Sequence, residues 1–255
     1  MLEREVKLGA GPGFHLPDLA GVADGIAVAP AETLRLETVY YDTPDLRLAR
    51  WGVSMRRRAG EGWTLKLAPS KSGAILERDE LTFEGSGKKP PQAALDVVRA
   101  YVRRSELVPV ARLSTVRRRV RLVDASGARV AEVVDDEVSV RDGRRVAARF
   151  REIEVEVAGE TNGEAIIAPL VARLRGAGAG APDLTPKHIR ALGPRAVEPA
   201  EVAPETINAG APARDVIRGT LAESVASLLH NDPLVRTGRD PEAVHQARVA
   251  TRKLR

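Results

Sequence analysis

Four stretches of the chain place charged side chains two residues apart. Glu3, Glu5 and Lys7 alternate with Leu2, Arg4, Val6 and Leu8, and Glu152, Glu154 and Glu156 alternate with Ile153, Val155 and Val157. Arg56/Arg58 and Arg117/Arg119/Arg121 repeat the spacing with the opposite sign. A period of two is a strand signal, because successive side chains leave opposite faces. On one strand face, neighbouring carboxylates lie about 6–7 Å apart. At an effective dielectric near 20 each such pair repels by roughly 2 kcal/mol. Stacks of this kind are costly unless cations sit between them. Acidic and basic strands, each with an apolar back, therefore imply a closed sheet with a charged interior and helices over its outside. A lone Glu or Arg on one strand would be read as a solvated face; the recurrence carries the inference.

The elements that must position these residues follow from the pattern along the chain. Gly9–Gly13 is a loop, without the Lys-Ser/Thr of a P-loop. Phe14 to Ala23 is expected as a short helix, Leu34 to Tyr41 as a strand, and Leu46 to Trp51 as a helical turn. Val53 to Ala59 and Trp63 to Ala68 form an expected hairpin around Gly60-Glu61-Gly62, and Ile75 to Glu84 is another strand. Pro90-Pro91 opens an expected helix from Gln92 to Arg104. Ala111 to Val123 and Ala128 to Val134 read as a second hairpin, and Val138 to Arg141 joins Arg144 to Ala158 through Asp142-Gly143. Gly163 to Leu174 is a helix. Thus the fold class is α+β: an eight-stranded, mostly antiparallel β-barrel with outer helices, followed by a C-terminal helical segment.

Composition bounds the function. The 255 residues are 43% hydrophobic but only 3% aromatic, so the core must be aliphatic. Absence of cysteine excludes disulfides, thiolate metal sites and a cysteine nucleophile. No apolar run reaches the length of a membrane helix, and no secretory leader precedes Glu3, so a cytoplasmic protein is expected. Forty basic against 35 acidic residues give a net charge of +5. This surplus is mild; the clustering of arginine favours a polyanionic partner. Nucleic acid is not favoured, because neither a recognition helix nor stacking aromatics are evident.

Glu3-x-Glu5-x-Lys7 resembles the ExExK signature of the CYTH family, the triphosphate tunnel metalloenzymes. Tyr40-Tyr41-Asp42-Thr43-Pro44, Met55–Arg58, Trp63–Lys66, Arg78-Asp79-Glu80, Glu152–Glu154 and Lys187–Leu192 fit the same family in the same order. Pro186 stands where a serine is usual. The resemblance implies a triphosphate tunnel fold and metal-dependent hydrolysis of inorganic tripolyphosphate to pyrophosphate and phosphate. It implies catalytic roles for Glu3, Glu5, Lys7, Glu152 and Glu154. Glu3, Glu5, Glu152, Glu154 and Glu156 would be hard oxygen ligands for Mg²⁺ or Mn²⁺. Lys7, Arg56, Arg58, Lys66, Arg78, Arg117, Arg119, Arg121 and Lys187 would grip phosphate oxygens, some of the arginines serving instead as partners of Glu80 or Asp135/Asp136. Alternatives are a thiamine or nucleoside triphosphatase, an adenylate cyclase of the same fold, or a module that binds polyphosphate without turnover.

Residues 196–212, rich in Ala, Pro and Glu, read as a linker between a tunnel domain at 1–195 and a helical segment at 213–255. Asp215 to His230 is amphipathic, and Asp240-Pro241-Glu242 caps a last helix from Ala243 to Arg255. His245, Arg248, Arg252 and Arg255 share one face of it. The stretch His245–Arg255 resembles the opening of the CHAD domain, whose relatives are associated with polyphosphate. The helix signal runs to the last residue, so a fragment of a longer protein is expected, with the basic face binding polyphosphate.

Overall fold

The computed structural model describes residues 2–72, 75–157, 164–208 and 210–255; at residues 2, 3, 70–72 and 164 it describes the backbone alone. Strand β1 (Leu2–Ala10) is followed by β2 (Ala27–Val28), β3 (Glu32–Asp42), the short helix α1 (Arg47–Arg50), β4 (Ser54–Arg58), β5 (Gly62–Lys66), β6 (Ser70–Ser72) and β7 (Ile75–Phe83). Helices α2 (Gln92–Val97) and α3 (Arg99–Val102) precede the three long strands β8 (Val108–Val123), β9 (Arg129–Asp142) and β10 (Arg145–Val157). Helices α4 (Glu164–Gly176), α5 (Lys187–Leu192), α6 (Ala213–Thr237) and α7 (Pro241–Lys253) complete the chain.

Eight strands close into an antiparallel barrel. Its order is β1-β10-β9-β8-β3-β4-β5-β7, and β7 pairs back onto β1. The small strands β2 and β6 add to β8 and β7 outside this ring. Closure removes every sheet edge, so the two faces of the strands become an inside and an outside. Register then fixes which charges meet: Lys7 stands opposite Glu154, Glu5 opposite Glu156, and Glu3 opposite Arg78. On the far side Arg117 stands opposite Asp136.

The outward faces are apolar and covered, as the alternation requires. Val6, Leu8, Ile153, Val155 and Val157 pack with Ile166, Ile167, Leu170 and Leu174 of α4. Met55, Leu65 and Leu81 pack with Trp63 and with Ala94, Val98, Tyr101 and Val102 of α2 and α3, joined by Leu229 and Leu234 of α6. Helix α7 folds back onto α6, burying Ala243 and Ala250. The linker region is not a free tether: Trp51 Nε1 and Arg103 Nη2 both donate to Glu201, at 3.0 and 2.8 Å.

Three expectations are corrected. Phe14 to Ala23 forms no helix; Phe14, Leu19 and Val22 instead plug the α4-side core from a turn-rich loop. Residues 92–102 divide into two short helices at Val98, whose φ of −98° and ψ of 12° leave the helical region. The two short strands expected at 128–141 are one continuous β9, because Asp135 and Asp136 each find a guanidinium on opposite faces. The expected starts of α4 at Gly163 and end of β10 at Ala158 lie outside the described residues.

Leu170 is fully buried between α4 and the barrel wall. Leu170→Ala is expected to cost about 2–5 kcal/mol of folding stability through lost transfer energy and an unfilled cavity. Chemical denaturation should show a lower midpoint with unchanged slope; an unaltered midpoint would show that α4 is not part of the barrel's cover.

Candidate functional site

Inside the barrel is a cavity of about 470 Å³. Among the described residues, its wall carries Lys7, Arg56, Arg58, Lys66, Arg78, Arg117, Lys187 and Arg239 against Glu5, Glu61, Glu80, Glu154 and Glu156. Cations therefore outnumber carboxylates. Six strands contribute charged side chains through their inward positions: Glu5 and Lys7 from β1, Arg56 and Arg58 from β4, Lys66 from β5, Arg78 and Glu80 from β7, Arg117 from β8, and Glu154 and Glu156 from β10. Lys187 enters as the first residue of α5, where Pro186 in an extended conformation precedes the helix.

A compact ion network lies at one side of this cavity. Lys7 Nζ contacts Glu154 directly and lies 3.3 Å from Glu5 Oε2. Lys187 Nζ is 2.7 Å from Glu152 Oε1, 2.9 Å from Glu154 Oε1 and 3.0 Å from Asp136 Oδ2. Arg117 makes a fork to Asp136, with Nε–Oδ1 at 2.8 Å and Nη2–Oδ2 at 2.7 Å, and reaches Glu154 Oε2 at 3.3 Å. Burial disfavours the ionised Glu154, but Lys187, Lys7 and Arg117 outweigh it, and its pKa is held well below the usual carboxylate range. Burial likewise works against the Lys7 and Lys187 ammonium groups, yet their carboxylate neighbours, Glu154 foremost, raise both. Glu154 is thus ionised against charged Lys7 and Lys187, and removing either lysine would strand a carboxylate in a low-dielectric site.

The remaining predicted residues divide. Arg56, Arg58, Lys66 and Arg78 all reach the cavity. Arg58 donates to Glu61 at 2.7 Å, Lys66 sits 3.1 Å from Glu80, and Arg78 3.3 Å from Glu5. Burial first, then the nearby Arg56 charge, lowers the Arg58 pKa. Arg119 and Arg121 face the same interior but do not line this cavity; both pair with Glu32, at 2.6 and 3.3 Å. Glu152 is fully buried behind the wall, against Lys187. The side chain of Glu3 lies outside the described residues, although its backbone places it on the Glu5 face of β1. His245, Arg248, Arg252 and Arg255 are exposed on or just beyond α7, apart from the cavity.

Three contributors were not singled out as site residues from sequence. Asp136 is fully buried and joins Arg117 to Lys187. Its signal was the inward series Glu132, Val134, Asp136, hidden by the expected strand break. His188 is buried, its ring stacked on Tyr40 with centroids 5.2 Å apart, and it lines the cavity. Arg239 comes from the turn between α6 and α7, far away in sequence.

A divalent cation such as Mg²⁺ needs hard oxygen donors. Among the described residues no three acidic or histidine side chains already surround one point. Lys7 and Lys187 occupy the spaces between carboxylates. However, Glu5 Oε1 is buried with a 3.3 Å ion pair to Arg78 Nη2 and makes no hydrogen bond among the described residues, and Glu5, Glu154 and Glu156 present hard oxygens to the cavity. Such oxygens fit Mg²⁺ or Mn²⁺, ions that keep waters and bind through few protein carboxylates alongside phosphate.

Comparison with known proteins gives matching results. Residues 1–189 match the model of the CYTH domain and residues 219–255 that of the CHAD domain. Two uncharacterized proteins from strains of Mycobacterium tuberculosis are each 35% identical over 256 residues, covering 94% of this chain and 48% of theirs. The chain therefore spans about half the length of the curated relatives it matches. Among solved structures, a Hippeastrum protein described as a candidate adenylyl cyclase with a dominant triphosphatase activity has a TM-score of 0.39 at 18% identity, covering 74% of this chain and 94% of its own. A Pyrococcus horikoshii protein has a TM-score of 0.40 at 17% identity, covering 72% and 94%. Neither likeness is close enough to carry an argument about activity. No helix among the described residues is long and apolar enough to cross a membrane.

His188 provides a pH test of this electrostatic environment. Burial, and then the charges of Arg78, Lys7, Arg56 and Lys66, lower its pKa from 6.5 to about 3. The unfolded chain takes up this proton near pH 6.5 while the folded chain refuses it until about 3. Stability is therefore lost as pH falls through that window. His188→Phe, which keeps a ring against Tyr40, should lose stability less steeply between those limits in thermal unfolding. Identical slopes would show that His188 is not held in a cationic field.

Proposed function

This chain belongs to the CYTH domain family, and from that premise we propose that it is a metal-dependent triphosphatase acting on inorganic tripolyphosphate. The observation that carries the reading is the surplus of cations on the wall of the cavity inside the closed barrel. A triphosphate carries several negative charges on a narrow chain, and the wall offers both guanidinium forks and ammonium groups to it. The rings on the wall are committed elsewhere: Tyr40 stacks on His188, and Phe83 packs onto the cluster around Trp63. That favours a substrate without a nucleobase over ATP or thiamine triphosphate.

In this reading Arg56, Arg58, Lys66, Arg78 and Arg117 bind and align the phosphate chain, while Lys7 and Lys187 hold the carboxylates in place. Hydrolysis breaks one phosphoanhydride P–O bond and forms one to a water oxygen, releasing pyrophosphate and phosphate. Phosphoryl transfer needs mostly positioning and neutralisation of charge, so no protein nucleophile is called for. Glu5, Glu154 and Glu156, with Glu3 beside them on β1, would hold the divalent cation. When bound, that ion supplies charge neutralisation and lowers the pKa of water. The neutral His188 offers a hydrogen bond to the cavity without adding charge.

The two-part organisation belongs to the same proposal: a tunnel unit, a linker at 196–212, and the beginning of a helical unit whose exposed face, His245, Arg248, Arg252 and Arg255, binds polyphosphate.

Phosphate release from tripolyphosphate, ATP and thiamine triphosphate, with and without Mg²⁺, tests the reading. Tripolyphosphate should be turned over fastest, and only with the metal. Arg56→Ala should raise KM or lower kcat about tenfold, the loss of one charge-assisted hydrogen bond of roughly 1.5–3 kcal/mol. Glu5→Gln should abolish metal-stimulated turnover. Normal activity in both variants would refute the assignment of this cavity.

A further inference from the structure

The turn between α6 and α7 carries an arginine to the edge of the cavity. Arg239 lines that cavity, although it lies in the stretch matched by the CHAD domain and not the CYTH domain. Its position is fixed from both sides. Upstream, Leu229 and Leu234 of α6 pack against the core around Trp63 and Tyr101. Gly238 then ends α6 in the left-handed conformation, φ 63°, and its N–H donates to Val235 O. Downstream, the Asp240 carboxylate accepts from Glu242 N at 2.9 Å, capping α7, with Pro241 at its first position. The turn is therefore a built projection and not a loose loop.

Its side chain is held differently from those deeper in the barrel. Arg117 is half-buried and forked onto Asp136 at 2.7 Å, whereas Arg239 Nη1 stands 3.7 Å from Asp79 Oδ1, beyond hydrogen-bond distance. The Arg239 side chain is 43% exposed. A pair that long and that wet contributes little, so the guanidinium can leave Asp79 at small cost. Asp79 falls between Arg78 and Glu80 on β7, both of which line the cavity, and its own side chain leaves the opposite face of the strand.

We propose that Arg239 is a substrate-binding residue supplied by the helical segment. Its guanidinium moves from Asp79 to grip the phosphate oxygens of an inorganic phosphate chain that extends beyond the cavity edge. Longer linear polyphosphate thereby gains a contact that tripolyphosphate makes weakly. This rests on the reading of the cavity as a triphosphate site.

The test uses the full chain. Calorimetric affinities for tripolyphosphate and for longer linear polyphosphate are measured without divalent metal in the parent, Arg239→Ala, Arg239→Lys and Asp79→Ala. KM and kcat on both substrates with Mg²⁺ are measured alongside. Arg239→Ala should weaken the longer chain about tenfold and tripolyphosphate less, as one charge-assisted contact predicts. KM should rise more than kcat falls. Arg239→Lys should recover part of the loss, and Asp79→Ala, which frees the guanidinium, should tighten the longer chain. Parental affinities for both ligands in Arg239→Ala, at parental melting temperature, would overturn the proposal. If the parent binds both ligands and shows the Arg239 effect but turns over neither, the triphosphatase reading fails and the Arg239 site stands. If it hydrolyses tripolyphosphate and Arg239→Ala is silent, the converse holds. A parent that binds neither refutes both.

Discussion

The structure depends on the compensation of charge inside a closed sheet. Glu5, Glu152, Glu154 and Asp136 all face inward or lie behind the wall, in surroundings where an isolated carboxylate could not stay ionised. Lys7, Lys187 and Arg117 are the cations that pair with them. Lys7 alternates with Glu5 on one strand and stands opposite Glu154 on the next, so strand register is itself an electrostatic choice. A slip of one residue on β10 would turn Ile153 and Val155 inward against Lys7 and bring the glutamates out against the apolar face of α4. Ion pairing inside and aliphatic packing outside thus enforce the same register.

This arrangement also explains how a barrel interior can be both stable and receptive. Lys7 and Lys187 tie up the carboxylates of β1 and β10, while Arg56, Arg58 and Lys66 enter from β4 and β5, and Arg78 from β7 beside β1. Cations outnumber carboxylates on the cavity wall, which leaves net positive charge for an anion. Helices serve this interior from without: α4 seals one side, α2 and α3 the other, and α6 extends the second seal to the cavity edge. The helical segment is thus continuous with the barrel's packing through Leu229 and Leu234.

Much of this was legible in the sequence, for a definite reason. The alternations at 2–8, 117–121 and 152–157 carry face assignment within themselves, because a strand's period of two needs no knowledge of its neighbours. Closure followed from adding them up. What failed to show were features decided by distant partners. Asp135 and Asp136 looked like a break between strands, since adjacent acids disfavour a strand interior; Arg151 outside and Arg117 inside reverse that preference. The apolar residues of 14–23 suggested a helix, but Pro17 and the left-handed Gly21 suit a loop whose hydrophobic groups fill a gap in the core. Arg119 and Arg121 share the inward face of Arg117, yet Glu32 on the neighbouring strand draws them away from the cavity. Arg239 depends wholly on how α6 docks, and no local pattern encodes that.

The central claim is that this interior is complementary to a short phosphate chain and not merely basic. The most direct measurement is thermal unfolding with saturating tripolyphosphate, compared with sulfate at matched ionic strength. Occupancy at about 100 times Kd should stabilise the folded state by roughly 2.7 kcal/mol, and sulfate should do far less. Equal stabilisation by both anions, or none by either, would contradict the account.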